Sequence, residues 1–194
     1  MDPDILEELE VWKTLQREAI VDAPPWLKVW KEKILLPNGK EVDEFYTLEQ
    51  PDYVVVFSVT DTNRTIGFWR YKHGSRRVNL GLPAGQVEPG EDPLEAARRE
   101  FLEETGYQAR EWRHLGSFTA DGNRGLCQAH LFFASHLQEV ARPDPDDLEE
   151  MRMVFLTQNE LREHLLNGNV STLGVASAIA LAMNEIKMNQ PEGV

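Results

Sequence analysis

The chain has 194 residues, 41% of them hydrophobic and 27% charged, which is enough for one folded body with a small appendage and excludes wholesale disorder. Thirty-three acids against twenty bases leave a net charge of −13, which repels phosphate backbones and anionic bilayers and so argues against non-specific binding to nucleic acid or a membrane surface. A single cysteine, Cys127, has no partner for a disulfide or a thiolate zinc site; it reads as a small buried hydrophobe in a reducing, cytoplasmic setting.

The N-terminal stretch MDPDILEELEVWK is acidic from its second residue and lacks the basic-then-apolar order of a secretory signal. Apolar residues at Ile5, Leu9, Trp12, Leu15 and Ala19 recur every three to four positions and predict an amphipathic helix over 4–20, packed on the body or on a partner and stopped before DAPP. WLKVWKEKILLPNGKEVDEFYTL alternates apolar and polar residues on both sides of PNG, the pattern of a hairpin. Helix and hairpin together predict an arm over residues 1–50, ahead of a main domain over 51–190. YVVVFSV (Tyr53 to Val59) is a nearly continuous β-branched and aromatic run, suited to a strand covered on both faces. TIGFWRY, LGSFTA, LCQAHLFFA and EMRMVFL supply the other predicted strands.

DPLEAARREFLEETG carries a full set of helix signals: Asp92 as cap with Glu95 three positions on, Pro93 in the first turn and Gly106 as the stop. Thr157 with Glu160 opens a second helix, and TLGVASAIALAMNEIK predicts a terminal one, whose apolar tract Leu173–Met183 is too short to span a bilayer. VARPDPDDLEE reads as a mobile loop. Strands and helices interleave, which predicts an α/β body.

The predicted helix over 93–105 places Glu100, Glu103 and Glu104 in one arc of about 100° beside the apolar stripe Leu94, Ala97, Phe101 and Thr105, with Arg98 and Arg99 outside that arc. Like charges at these spacings repel by roughly 0.2–0.5 kcal/mol per pair, and a cation reverses the sign. A hard divalent ion such as Mg²⁺ takes carboxylate oxygens and is usually shared with substrate phosphates, so the arc fits half of a metal site; it also fits a solvated acidic face.

Gly85, Glu91, Arg99-Glu100-Phe101, Glu103-Glu104 and Gly106-Tyr107, at these spacings, resemble the signature of the Nudix hydrolases at every specified position. The resemblance implies an α/β/α sandwich with a mixed sheet, here carrying an N-terminal helix and β-hairpin arm, and Mg²⁺-assisted attack of water on a nucleoside diphosphate linked to another group, with Mn²⁺ as the substitute ion. Carried onto this chain, Glu100, Glu103 and Glu104 hold metal beside the carbonyl of Ala84 or Gly85, with Glu103 and Glu104 also acting in catalysis. Arg99 pairs with Glu91 to orient the ligands, while Gly85 and Gly106 shape the motif. Such an assignment makes Glu104→Gln lose turnover by orders of magnitude with the fold intact.

LGLPAGQVEPGE is similar to the ADP-ribose and nucleotide-sugar diphosphatase branch, which reads L-P-A-G. This chain departs from the branch at Gly81, where an acid is usual, and at Trp69-Arg70-Tyr71-Lys72, where Arg-Gln-Tyr-Arg is usual. The branch implies a late-loop glutamate as base, Glu149 with Glu150 as the alternative, and substrate contacts from Trp26 and Trp30, which also read as plain packing. Lys72, His73, Arg76 and Arg77 form a basic patch that suits a phosphate or an ordinary turn; Asn123 and Arg124 fall where relatives read the distal half of the substrate, and His130 reads as structural. The implied reaction cuts a nucleotide sugar such as ADP-ribose or GDP-mannose to a nucleoside monophosphate and a sugar phosphate. Alternatives are a dinucleoside polyphosphate or triphosphate substrate, or a catalytically silent sensor. Relatives also pair through their N-terminal strands, which implies a homodimer formed through the arm.

Overall fold

The computed structural model describes residues 10–144 and 150–188 and divides into two compact units, Met1–Pro51 with Asp121–Cys127, and Asp52–Ala120 with Gln128–Val194. In the first unit, β1 (Lys13–Ala23), β2 (Leu27–Leu35) and β3 (Glu41–Glu49) form an antiparallel sheet in the order β1-β2-β3. The segment Asp121–Cys127 joins this unit through Leu48 N–H to the Arg124 carbonyl and Gln50 N–H to the Leu126 carbonyl.

β1 corrects the predicted N-terminal helix: Lys13–Ala23 is extended, and residues 4–9 lie outside the described residues. The three-to-four apolar spacing is real but loses to pairing with β2. Register Arg17↔Glu32 and Asp22↔Lys28 sets Arg17 Nε 3.0 Å from Glu32 and Lys28 Nζ 3.0 Å from Asp22, and lays the Arg17 guanidinium 3.9 Å from the Trp30 ring centroid. A helix would forfeit all of these cross-strand pairs and the ladder of backbone bonds.

The second unit holds β4 (Tyr53–Val59), β5 (Thr65–Lys72), β6 (Arg77–Gly81), β7 (Ala84–Gln86), β8 (Tyr107–Thr119), β9 (Gln128–Glu139) and β10 (Met151–Leu156), with helices α1 (Pro93–Thr105), α2 (Gln158–Leu166) and α3 (Leu173–Met188). One sheet runs β10-β5-β6; the other runs β7-β4-β9-β8 and is mixed, because β4 and β9 are parallel while the remaining pairs are antiparallel. β4 explains its own apolar run: Val54 and Val56 face a cluster with Ala97 and Phe101 of α1, while Val55 and Phe57 face one with Ala178 and Ile179 of α3. Covering both faces needs apolar residues at every position, so alternation disappears and an α/β/α arrangement results. Cys127 is buried, as its composition reading requires, and no helix of the described residues is long and apolar enough to cross a membrane.

Candidate active site

α1 forms where its end signals place it. Asp92 accepts hydrogen bonds from the backbone N–H groups of Leu94 and Glu95, and Gly106, at φ 76°, donates its N–H to the Leu102 carbonyl. Glycine is required there twice over, since a Cβ would adopt a left-handed φ and approach the Ala141 carbonyl oxygen to 2.3 Å. Burying Ala97, Phe101 and Thr105 against the sheet turns Glu100 toward β7 and leaves Glu103 at the solvent edge, while Glu104 is carried inside.

Glu100 lies directly over Gly85. A Cβ at position 85 would fall 1.9 Å from the Glu100 carboxyl carbon, so only glycine lets this acid approach the strand backbone. Glu104, 5% exposed, receives Nη1 of Arg70 at 2.9 Å on one oxygen and the Ala84 N–H at 3.0 Å on the other. Burial pushes its carboxyl up to about 7, against the lowering pull of Arg70 and of the Ala84 N–H.

Arg99 crosses the acidic face instead of pointing away from it. Its Nε and Nη2 grip both oxygens of Glu91 at 3.0 Å, Nη2 also reaches the Gln86 carbonyl at 3.0 Å, and Nη1 donates to Glu100 at 2.7 Å and Glu103 at 3.3 Å. A Cα direction alone places it outside the arc; the length and planar fork of guanidinium let it fold back. The bond to Arg99 holds Glu91 below its ordinary 4.5 despite partial burial. A carboxyl depressed in the folded state stabilises above 4.5 and loses that contribution as pH falls through its folded value. Glu91→Gln is therefore expected to lower stability near pH 7 by on the order of 1 kcal/mol. In thermal melts the gap to wild type should close below pH 4.5.

The Nudix domain model matches residues 49–172, which contain every one of these groups. The chain belongs to the Nudix family. Over 147 residues it is 31% identical to the "ADP-ribose pyrophosphatase" of Bacillus subtilis, covering 74% of this chain and 78% of that protein. It is 33% identical over 165 residues to the "ADP-sugar pyrophosphatase" of Mus musculus, covering 76% and 75%. A crystal structure of an "ADP compounds hydrolase" superposes with a TM-score of 0.81 over 93% of this chain and 96% of that one, at 21% identity, which shows the shared fold.

Within this Nudix domain the acids fit a hard divalent cation by donor chemistry, with carboxylate oxygens on one helical turn and glycine as the bare floor beneath Glu100. Among the described residues no group of three acid, histidine or cysteine side chains stands arranged to hold a metal ion. Arg99 and Arg70 supply the positive charge that these glutamates contact.

The other sequence-named residues are scattered more widely. Lys72 lines a cavity of about 310 Å³ with Tyr53, Arg70, Ala84, Gly85 and Leu173. Arg76 sits at φ 53° in the β5–β6 turn with its N–H on the His73 carbonyl, and Arg77 donates to the Gly168 carbonyl at 3.1 Å, so both serve turns in this structure. Glu150 precedes Met151, the β10 residue in register with Arg70, and Glu149 lies outside the described residues. In the first unit Trp26 is exposed, Trp30 is flanked by Arg17 and Lys28, and Arg124 lines a cavity of about 290 Å³ with Phe45, Tyr46, Asp121 and Asn123. His130 Nδ1 lies 2.7 Å from Ser117 Oγ and Nε2 3.5 Å from Asp52. Sequence reasoning missed Arg70 and Tyr53; the only signal for Arg70 was its departure from the branch pattern.

Proposed function

We propose that this Nudix protein hydrolyses the pyrophosphate bond of a nucleoside diphosphate sugar, giving a nucleoside monophosphate and a sugar phosphate, with a divalent cation, Mg²⁺ or in its place Mn²⁺. The observation that carries this is Glu100 seated on Gly85 beside Glu103 and Glu104, an acidic turn set against strand β7 in a domain whose relatives are named for ADP-ribose and ADP-sugar cleavage. Glu100, Glu103, Glu104 and the Ala84 carbonyl would hold the ion. When bound, it supplies charge neutralisation at the phosphates and a more acidic water.

The chain's own groups do the rest. Arg99, locked to Glu91 and Gln86, fixes the helix against the short strand β7 that carries Ala84 and Gly85. Lys72 places positive charge in the adjoining cavity, where a diphosphate oxygen can accept from it. A late-loop acid, Glu149 or Glu150, takes a proton as the water oxygen bonds to phosphorus; the bridging P–O bond breaks, and its electron pair stays on the leaving phosphate oxygen. The resemblance also assigns substrate contacts to Trp26, Trp30 and Arg124. Arg76 and Arg77 would assist the phosphate only by leaving their turn contacts.

Exposed Val11, Trp12, Leu15, Ile20 and Val21 support a homodimer formed through the N-terminal arm, which sedimentation equilibrium checks: a monomer at all concentrations contradicts it. The lone cysteine and acidic charge support cytoplasmic residence. The function is tested by incubation with ADP-ribose, GDP-mannose, ADP-glucose and NADH, with Mg²⁺ and then EDTA, products being resolved by mass spectrometry. Monophosphate and sugar phosphate that vanish with EDTA are expected; intact substrates throughout would overturn the proposal.

A further inference from the structure

Gly81 and Arg70, which belong to the two stretches where the chain departs from the branch it resembles, meet in space. Arg70 lies on β5 opposite Asn79 of β6 and is 5% exposed, yet its guanidinium turns back over the end of β6. There Nη2 donates to the Leu82 carbonyl at 3.1 Å and Nη1 to Glu104 at 2.9 Å. A Cβ on Gly81 would lie 3.1 Å from Arg70 Nε and 3.4 Å from Nη2, close enough to press on the guanidinium, which the bare position leaves unhindered. Glu104 completes the tie by accepting the Ala84 N–H at 3.0 Å. One permanently charged side chain thus links α1 to the β6–β7 connection, on the very acid a divalent cation would use.

We infer that Arg70 is the positioning residue of this cation site and also its built-in competitor, with Gly81 leaving its guanidinium uncrowded. This rests on the metal-dependent reading proposed above. Arg70 aligns Glu104 by holding one oxygen, and its charge, only a hydrogen bond away, opposes any second cation on the same carboxylate. The chain therefore holds metal more weakly than its acids alone dictate, and substrate phosphates, which bring negative charge, shift the balance toward uptake.

Mn²⁺ titration followed by electron paramagnetic resonance of the free ion tests this on the whole chain without substrate. Arg70→Gln removes the charge while keeping a shorter side chain with an amide donor, and is expected to bind Mn²⁺ at least about tenfold tighter than wild type. Arg70→Lys, which keeps the charge, should stay within about twofold of wild type. Gly81→Ala, which crowds the guanidinium while the charge remains, should tighten binding by a smaller factor; it carries the test alone if thermal melts show Arg70→Gln unfolded. Equal or weaker Mn²⁺ binding in the folded variant would overturn the inference. Because no turnover is read, a wild type that binds Mn²⁺ but cleaves no nucleotide sugar would sink the hydrolase proposal and leave this comparison standing.

Discussion

Glu100→Gln is expected to lower turnover of a nucleotide sugar by about a thousandfold or more, with the thermal midpoint close to that of wild type. The size follows from the charge stabilisation a bound cation supplies, several kcal/mol, at about 1.4 kcal/mol per factor of ten. The selectivity follows from the site. Glu100 is partly exposed and packs over Gly85, and a carboxamide of the same shape fits there and still offers Arg99 an oxygen. Saturating-substrate kinetics with excess Mg²⁺, together with a thermal melt, check both halves. Wild-type turnover would remove Glu100 from the mechanism.

Glu104→Ala is expected to behave differently, losing stability as well as activity. It strands the buried Arg70 guanidinium, and breaking a buried pair from one side costs about 3–5 kcal/mol, or roughly 6–20 °C in thermal midpoint for a chain of this size. Glu104→Gln is milder, because its amide oxygen can still accept from Arg70, but it removes the charge partner and should not be silent in a melt. The structure adds a stability cost to the expectation that Glu104→Gln leaves the fold intact: helical spacing put Glu104 among the acids without showing that it lies inside, 5% exposed, on an arginine from β5. Denaturant titrations of the two variants give the measurement, and equal stability of Glu104→Ala and wild type would refute the buried tie.

These contrasts show what the chain spelled out and what it withheld. α1 was legible to the residue because its signals are local: Asp92, Pro93, Gly106 and the apolar stripe all act within one helix. β4 was legible because burial on both faces leaves a continuous apolar run. β1 was not, since an apolar spacing of three to four also suits a strand whose partner supplies charge pairs and a tryptophan face, and the partner lies beyond the local window. β7, three residues between a proline and a glycine-bearing loop, owes its pairing to β4 alone. At the site the spacing named the acids, and the resemblance named the Arg99–Glu91 pair. Neither could show Arg70 reaching Glu104 past Gly81, because residues 34 apart in sequence meet only after two elements have packed.

The central claim is that this acidic turn serves metal-assisted addition of water to a diphosphate. Hydrolysis of ADP-ribose in ¹⁸O-labelled water, with Mg²⁺ and with EDTA, tests it most directly. The account predicts one labelled oxygen on the phosphate of one product for each bond cut, and no cleavage once the ion is chelated. Cleavage that persists unchanged in EDTA, or unlabelled phosphates on both products, would contradict it.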